Sequence, residues 1–218
     1  MLTLTEHGAN NYPKKNLIDM HIHTTHSFCG KVTLEETLIR LSGKVDGITI
    51  TDHDIITHYS KEVLEAFVLK YQIRVLVPSV EITTYQGDLL AYGLSSAPSK
   101  SLDVKKVIEM IHNEGGIAVA PHPFGHNSGL GDLVYSLELD ALEINGNLPK
   151  KNNQQAKVAA QTMGLPLVGG SDSHSKTQVG TCATEFPKEI KSMTDLIRCV
   201  KRKKCQPVLL RHLDSYYH

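Results

Sequence analysis

The feature that most constrains the fold of this chain is the alternation of short apolar runs with amphipathic helical segments. The runs have strand length, are rich in Val, Ile and Leu, and are bounded by Gly, Pro or Asp: NLIDM, DGITI, IRVLVP, LLAYGL, GIAVA, DALEI, LPLVGG and PVLL. Nearly continuous apolar runs are typical of parallel strands covered on both faces. Their alternation with helices predicts an α/β fold built around a parallel sheet.

The segments between these runs have the signals of helices. Thr33 and Glu36 form a capping box, and Ser101 is the predicted cap of a later helix. The runs IRVLVP and LLAYGL are joined by the short ITTYQGD, which predicts a hairpin or another tight connection. Helices are predicted at residues 33–42, 57–71, 101–114, 149–163 and 192–204.

Length and composition indicate one globular domain. The 218 residues suffice for a domain of the larger kind, and no linker or repeat divides them, so residues 1–218 are predicted to form a single domain. Hydrophobic residues make up 40% and charged residues 21%, as in globular proteins. Lys plus Arg and Asp plus Glu number 23 each, and this balance argues against long nucleic acid as a partner.

The cysteines and the apolar runs indicate the cellular compartment of the protein. Cys29, Cys182, Cys199 and Cys205 form no CxxC pair, so the chain has no zinc-knuckle or redox motif. Their scatter favours reduced thiols and a cytoplasmic location. The first residues lack the apolar stretch of a signal peptide, and no run approaches the roughly 20 residues that cross a bilayer. No membrane partner is therefore expected.

Metal-ligating residue types follow most of the apolar runs. The stretch DMHIHTTHSFCG at residues 19–30 follows the first run, and alternation along a strand puts Asp19, His21 and His23 on one face. A lone HxH pair is weak evidence for a metal site, but similar residues follow the other strands. They are Asp52, His53, Asp54, Glu81, His122, Glu143, Asp172 and His174.

In a barrel of parallel strands these strand ends would meet at one mouth. Mixed imidazole and carboxylate ligands suit Zn, Mn or Fe, and a glutamate can bridge two ions. A metal site at the mouth is therefore expected. The alternative is a set of separate loop histidines and strand-end caps.

Five motifs resemble those of the PHP (polymerase and histidinol phosphatase) domain family. They are DMHIH at 19–23, ITDHD at 50–54, VEI at 80–82, APHP at 120–123 and GSDSH at 170–174, and they occur in the family order. The resemblance implies a distorted (β/α)7 TIM-like barrel with two to three divalent ions (Zn, Mn or Fe) at its mouth. It also implies phosphate ester hydrolysis by a metal-activated water.

The resemblance implies three metal sites. Two positions depart from the usual pattern: Cys29 stands where a carboxylate or His is common, and Asp88 stands where His is common. Thiolate and carboxylate still bind metals, and Cys29 would shift the preference toward Zn or Fe. The matching ligands are His21, His23, Glu81 and Asp172 for the first site, Glu81 and His122 for the second, and His53 and His174 for the third.

Other polar residues are candidates for supporting roles. Hydrogen bonds that orient the ligands are expected from Asp19, Asp52 and Glu143, with a structural role as the alternative for Glu143. Candidate substrate contacts are His26, Lys31 and Lys176, for which a solvated loop position is the alternative.

These expectations favour a metal-dependent phosphoesterase that acts on a small phosphorylated substrate. Neither a GxSxG motif nor a convincing Cys–His pair offers a protein nucleophile. One alternative is an amidohydrolase-type enzyme that cleaves C–N bonds. A carboxylated lysine that bridges two metal ions would favour that alternative, but this chain has Glu81 at the corresponding position. The other is a degenerate PHP module that binds metal without catalysis, for which the changes at Cys29 and Asp88 are the best support.

Overall fold

The computed structural model describes residues 16–99, 102–125 and 128–210. Among the helices in these ranges, none combines the length and the apolarity needed to span a bilayer. The strands are Asn16–Asp19 (β1), Gly47–Thr49 (β2), Arg74–Leu76 (β3), Ser79–Thr83 (β4), Asp88–Tyr92 (β5), Ile117–Ala120 (β6), Ala141–Asn145 (β7), Leu167–Gly170 (β8), Cys182–Phe186 (β9) and Gln206–Leu209 (β10). The helices are Leu34–Leu41 (α1), Lys61–Tyr71 (α2), Val104–Asn113 (α3), Lys150–Met163 (α4) and Met193–Lys201 (α5), with a 3-10 helix at Gly131–Ser136.

The strands form two mixed sheets of five strands each. In the first sheet the order is β10-β9-β1-β2-β3, in which β1, β2 and β3 are parallel and β9 is antiparallel to both β1 and β10. In the second sheet the order is β4-β5-β6-β7-β8. Strand β5 is antiparallel to both β4 and β6, whereas β6, β7 and β8 are parallel to one another.

The predicted distorted (β/α)7 TIM-like barrel is wrong, because the described residues form two separate mixed sheets and not one closed ring of parallel strands. The error has a physical cause. Strand β5 is buried along its whole length, as a central parallel strand would be, yet it pairs antiparallel on both sides. A strand covered on both faces is apolar whatever the direction of its neighbours, so an apolar run reports burial and not direction.

The predictions of individual strands and helix starts agree with the structure better than the predicted barrel does. Every predicted apolar run contains a strand, and ITTYQGD forms a hairpin in which Thr83 pairs with Asp88. The sequence did not predict β4 and β9 as strands. The capping box of Thr33 and Glu36 begins α1, as predicted. Helix α3 is capped by the side chain of Asp103, and the predicted cap Ser101 lies outside the described residues.

Two hydrophobic clusters explain why the second sheet is covered on both faces. Leu90 and Tyr92 face a core between the sheets, where they pack with Ile18 of the first sheet. Leu89 and Ala91, which alternate with them, belong to a second core against α3. Burial on both sides makes β5 uniformly apolar.

Two isolated parallel bridges also join the two sheets. Ile22, after β1, pairs with Ser173, after β8, and His53, after β2, pairs with Glu81 in β4. Each bridge joins a segment of the first sheet to a segment of the second. The side chains next to these bridges are the predicted metal ligands.

Candidate metal centre

The candidate ligands come from both sheets and converge where the sheets meet. His21, His23 and His53 follow strands of the first sheet, whereas Glu81 lies inside β4 of the second. The remaining candidates from the second sheet are Asp88 at the start of β5, His122 after β6, and Asp172 and His174 after β8.

Glu81 lies at the centre of the cluster. Its Oε2 is 2.9 Å from Nε2 of His23, 3.1 Å from Nε2 of His21 and 3.4 Å from Nε2 of His53. Its Oε1 is 3.0 Å from Nε2 of His122. The carboxylate is buried, so its two oxygens serve different imidazoles in a place of low dielectric. A carboxylate in this position can bridge two cations.

The ligand atoms of the described residues form three groups, and within each group all atoms lie within 4.8 Å of one another. Each pair of groups shares one residue, so the groups make one continuous cluster and not three separate sites. The groups are His23, Cys29, His53 and His174; His21, His23, Glu81 and Asp172; and His53, Glu81 and Asp88.

The loop that carries Cys29 is held by Asp52. Oδ1 of Asp52 accepts hydrogen bonds from N and Oγ of Ser27, at 3.2 and 2.7 Å, and from N of Thr24 at 2.7 Å. Its Oδ2 accepts a hydrogen bond from Oγ1 of Thr24 at 2.7 Å. Gly30 closes the loop so tightly that a Cβ there would collide with the carbonyl oxygen of Thr24. The sulfur of Cys29 is thereby held 3.8 Å from Nδ1 of His23.

Glu143 contacts two of the histidines, one through its ring and the other through its backbone amide. Its Oε1 lies 2.9 Å from Nδ1 of His21, and its Oε2 accepts a hydrogen bond from N of His122 at 2.8 Å. Asn145 donates from Nδ2 to Oε2 of Glu143 at 3.2 Å and to Oδ2 of Asp172 at 3.1 Å. Asn145 was not predicted from the sequence. Its position two residues after Glu143 on the same strand, and so on the same face, was the available signal.

Asp19 joins the ends of β1 and β8. Its Oδ1 accepts hydrogen bonds from N of Ser171 at 2.8 Å and from N of His21 at 3.3 Å. Burial raises the pKa of Asp19 to about 7, although these hydrogen bonds oppose the rise. Next to this contact a Cβ on Gly170 would collide with His21 and with the carboxylate of Glu143, so glycine permits the close approach of the two strands.

Two candidate ligands have an uncommon backbone conformation. The φ angle is 30° at His122 and 49° at Asp172, in the left-handed region that few residues other than glycine adopt. Such a conformation costs about 1–3 kcal/mol and persists where the surroundings enforce it. Here the amide of His122 donates to Glu143, and the amide of Asp172 donates to the carbonyl oxygen of His21 at 2.8 Å. The strain therefore lies at the centre itself.

The electrostatics of the cluster favour positive charge. Burial lowers the pKa of His21, but Glu81, Glu143 and Asp172 outweigh it and hold that pKa well above its usual value. Burial lowers the pKa of His122, but the hydrogen bond to Glu81 and the charges of Glu81, Asp172 and Glu143 together outweigh it and raise that pKa to about 9. In Glu81 burial raises the pKa, but the charge of His21 and the hydrogen bonds from the histidines bring it well below the usual range. These buried carboxylates require a counter-charge that protons or a divalent cation can supply.

The donor set fits a divalent ion. Oδ1 of Asp172 is buried and has no hydrogen-bond partner among the described residues. It lies 3.4 Å from Nε2 of His21 and 3.3 Å from Nε2 of His23. Those two nitrogens are themselves 3.1 Å apart. An oxygen and two imidazole nitrogens that point to one place are ligands that zinc, manganese and iron accept.

The cavity at the cluster is small and polar. It has a volume of about 170 Å³. A larger depression of about 570 Å³ lies elsewhere and contains none of the candidate ligands among its lining residues. The described residues that line the small cavity are His53, Glu81, Asp88, His122, Gly125, Ser128, Leu148, Asp172 and His174.

The predicted substrate contacts do not line this cavity. His26 and Lys31 are exposed on the loop after β1, and Nζ of Lys176 pairs with Oε1 of Glu36 at 2.6 Å. Asp88 does line the cavity, and burial together with the charge of Glu81 raises its pKa to about 7. Contact of His26, Lys31 and Lys176 with a substrate stays a prediction.

Known proteins share features with this chain. A family model described as PHP-associated matches residues 150–205. An uncharacterized protein from Methanocaldococcus jannaschii is 32% identical in a region that covers 58% of this chain and 79% of the relative. A two-domain protein from Bacteroides vulgatus containing a predicted PHP-like metal-dependent phosphoesterase superimposes with a TM-score of 0.68 at 17% identity, over 95% of this chain and 70% of that chain. At that identity the likeness concerns the fold.

The lesion-specific endonuclease Q is also similar in fold. The structure of endonuclease Q with a 27-mer duplex substrate has a TM-score of 0.60 at 14% identity, over 86% of this chain and 57% of that chain. A fold of this kind can therefore serve a protein that binds duplex DNA, and the expectation that balanced charge argues against long nucleic acid is wrong. Net charge sums the whole surface, whereas binding depends on the charges near the site.

Proposed function

Since this chain belongs to the PHP domain family, we propose that it is a metal-dependent phosphoesterase that hydrolyses a phosphorylated substrate with a metal-activated water. The continuous cluster of three ligand groups, which share His23, His53 and Glu81, is the observation that carries the proposal. Adjacent groups that share ligands suit a centre of two to three ions (Zn, Mn or Fe), the arrangement that phosphoryl transfer commonly uses. The assignment of individual residues as ligands is part of the proposal.

Ions held by these residues would polarise a phosphoryl oxygen and lower the pKa of a water molecule toward 7. Residues around the cluster hold the candidate ligand atoms in place. Glu143 holds Nδ1 of His21, which leaves Nε2 directed at Glu81 and Asp172. Asn145 holds Oδ2 of Asp172, which leaves Oδ1 free to bind. Hydrogen bonds of this kind commonly change metal affinity 10–100-fold.

A phosphate-release assay tests the proposal. Protein stripped by a chelator should release no phosphate from p-nitrophenyl phosphate, and added Mn or Zn should restore the release. Glu81→Gln keeps the size of the side chain but removes its charge, so it should lower both bound metal and turnover by about 100-fold or more. Glu109→Gln makes the same chemical change at an exposed position on α3 and should leave both unchanged.

The two alternatives give different results in the same assay. A metal-binding module without catalysis would retain its ions but hydrolyse no ester across a panel of aryl, alkyl and nucleotide phosphates. An amidohydrolase-type enzyme would hydrolyse an amide or a lactone and leave those phosphates intact. Either result would overturn the proposal.

We further propose that residues 1–218 act as a single domain and that the protein is cytoplasmic. The four cysteines are free thiols in the structure, which is compatible with a reducing compartment. The substrate that we propose is a phosphate ester whose phosphoryl group enters the cavity beside Glu81.

A further inference from the structure

Phe28 is an exposed aromatic residue at the edge of the candidate metal centre. It lies in the loop that carries Cys29, and it is 88% exposed. Single exposed apolar residues are common and need no explanation by themselves. The position of Phe28 is informative because both of its neighbours contact residues at the candidate metal centre. Ser27 is hydrogen-bonded to Asp52, and the sulfur of Cys29 lies near Nδ1 of His23.

The loop holds Phe28 in this exposed position. Ser27 is tied to Asp52 through both its amide and its hydroxyl group. On the other side N of Gly30 donates to the carbonyl oxygen of Ser27 at 3.2 Å, and N of Lys31 donates to the carbonyl oxygen of His174 at 2.9 Å. These contacts on both sides fix the backbone of the loop, and with it the direction of the Cα–Cβ bond of Phe28.

The ring of Phe28 lies beside a candidate ligand. Its centroid is 5.8 Å from that of the His53 ring, and the two planes are nearly parallel, at 27°. His53 belongs to two of the three ligand groups and lines the small cavity. Phe28 does not itself line the cavity, but it lies against a residue that does, and so within reach of the outer part of a substrate that enters the cavity.

The size of the cavity says where the rest of a substrate must lie. Its volume of about 170 Å³ is below the roughly 300 Å³ at which ordinary small-molecule pockets begin. Its described lining is mostly imidazole and carboxylate, with Leu148 as the one large apolar side chain. Such a space suits a phosphoryl group, so the alcohol part of the ester would extend over the rim.

We propose that Phe28 is a specificity-determining residue that stacks on a planar aromatic ring in the alcohol part of the substrate. The inference rests on the proposed phosphoesterase function. Aromatic rings prefer offset stacking, and an exposed ring beside the cavity can provide one face for it. Stacking accepts many planar rings because each has a π-face, so the preferred class is phosphate esters of aromatic or nucleoside-like alcohols.

Calorimetric titration with two phosphonates tests the inference without turnover, because their C–P bonds are not hydrolysed. Mn-loaded protein should bind benzylphosphonate more tightly than ethylphosphonate. Phe28→Leu remains apolar but loses the planar face, so it should weaken benzylphosphonate about tenfold, or about 1.4 kcal/mol, and leave ethylphosphonate unchanged. Phe28→Trp should restore the preference. Tyr135→Leu removes another exposed aromatic ring, on the 3-10 helix, and should change neither affinity.

The outcomes separate this inference from the function on which it rests. If Phe28→Leu leaves the affinity for benzylphosphonate unchanged, or weakens both phosphonates equally, the stacking role is wrong even where metal-dependent hydrolysis persists. If the parent protein hydrolyses no phosphate ester with any metal and binds neither phosphonate, the proposed function fails, and the stacking role fails with it. Unfolding temperatures of the Phe28 variants should match the parent, because the side chain is exposed.

Discussion

Oε1 of Glu143 lies 2.9 Å from Nδ1 of His21, and both side chains are buried. The contact decides which nitrogen of His21 faces the cluster. With Nδ1 engaged by the carboxylate, Nε2 is directed toward Glu81, His23 and Asp172. A carboxylate behind a histidine ligand fixes the tautomer and orientation of the ring and makes it more basic.

Replacement of this carboxylate should weaken metal binding without removing a ligand. Glu143→Gln keeps an oxygen that can accept from Nδ1 of His21 but loses the negative charge, so the affinity for one ion should fall 10–100-fold. Competition with a chromophoric chelator measures it. Glu109→Gln, on the surface of α3, is the matched control. Equal affinities in the parent and Glu143→Gln would mean that the contact has no effect on the metal.

Asn145 should matter because it holds both Glu143 and Asp172. In Asn145→Ala the carboxylate of Asp172 loses a donor and gains freedom, so turnover should fall about 10–100-fold with a smaller loss of bound metal. Steady-state kinetics with p-nitrophenyl phosphate and elemental analysis measure the two effects. Asn113→Ala, at the exposed end of α3, should behave as the parent. Unchanged kinetics in Asn145→Ala would contradict the positioning role.

Cys29 should determine how many ions are bound and which metal is preferred. Its sulfur lies in one group with nitrogens of His23, His53 and His174. Cys29→Ala should lose one ion with little effect on the fold, whereas Cys29→Asp should retain it and shift the preference from Zn toward Mn. Elemental analysis counts the ions, and Cys205→Ala is the cysteine control. If both variants keep the metal content of the parent, Cys29 fills space and is not a ligand.

The stability of chelator-treated protein should fall as the pH rises from 6.5 to 9. The pKa of His122 is raised in the folded protein to about 9 from 6.5, so its contribution is complete below pH 6.5 and is lost as the pH passes 9. The loss that His122 alone causes is on the order of 3 kcal/mol. Thermal unfolding at a series of pH values measures it, and added Mn should oppose the fall, because neutral imidazole binds metal.

Two variants locate the source of this pH dependence. His122→Gln cannot take up the proton, so its stability should change less between pH 6.5 and 9 than that of the parent. His58→Gln, at an exposed position, should retain the parental dependence. The same slope in His122→Gln and the parent would assign the effect to other groups. The raised pKa of Asp88, at about 7, acts in the same direction but mainly below pH 7.

The local structure could be predicted from the sequence. Apolar runs located the strands that they contain, and the Thr33–Glu36 capping box located the start of α1. Alternation grouped His21 with His23 at the end of the first strand, and the same alternation puts Glu143 and Asn145 on one face of β7. These features depend on residues a few positions apart, so their periodicity is visible in the chain.

Strand direction and the partners of the polar side chains depend on tertiary packing and could not be predicted from the sequence. The apolar run of β5 looks like a parallel strand, yet β4 and β6 both run against it. Lys176 pairs with Glu36, and Asp52 holds the Cys29 loop, contacts that the sequence did not predict. An apolar residue type indicates that the position is buried, but it does not indicate which segment covers it. A hydrogen bond or a strand pairing depends on which distant segment of the chain packs next to the residue. That packing is determined by long-range contacts.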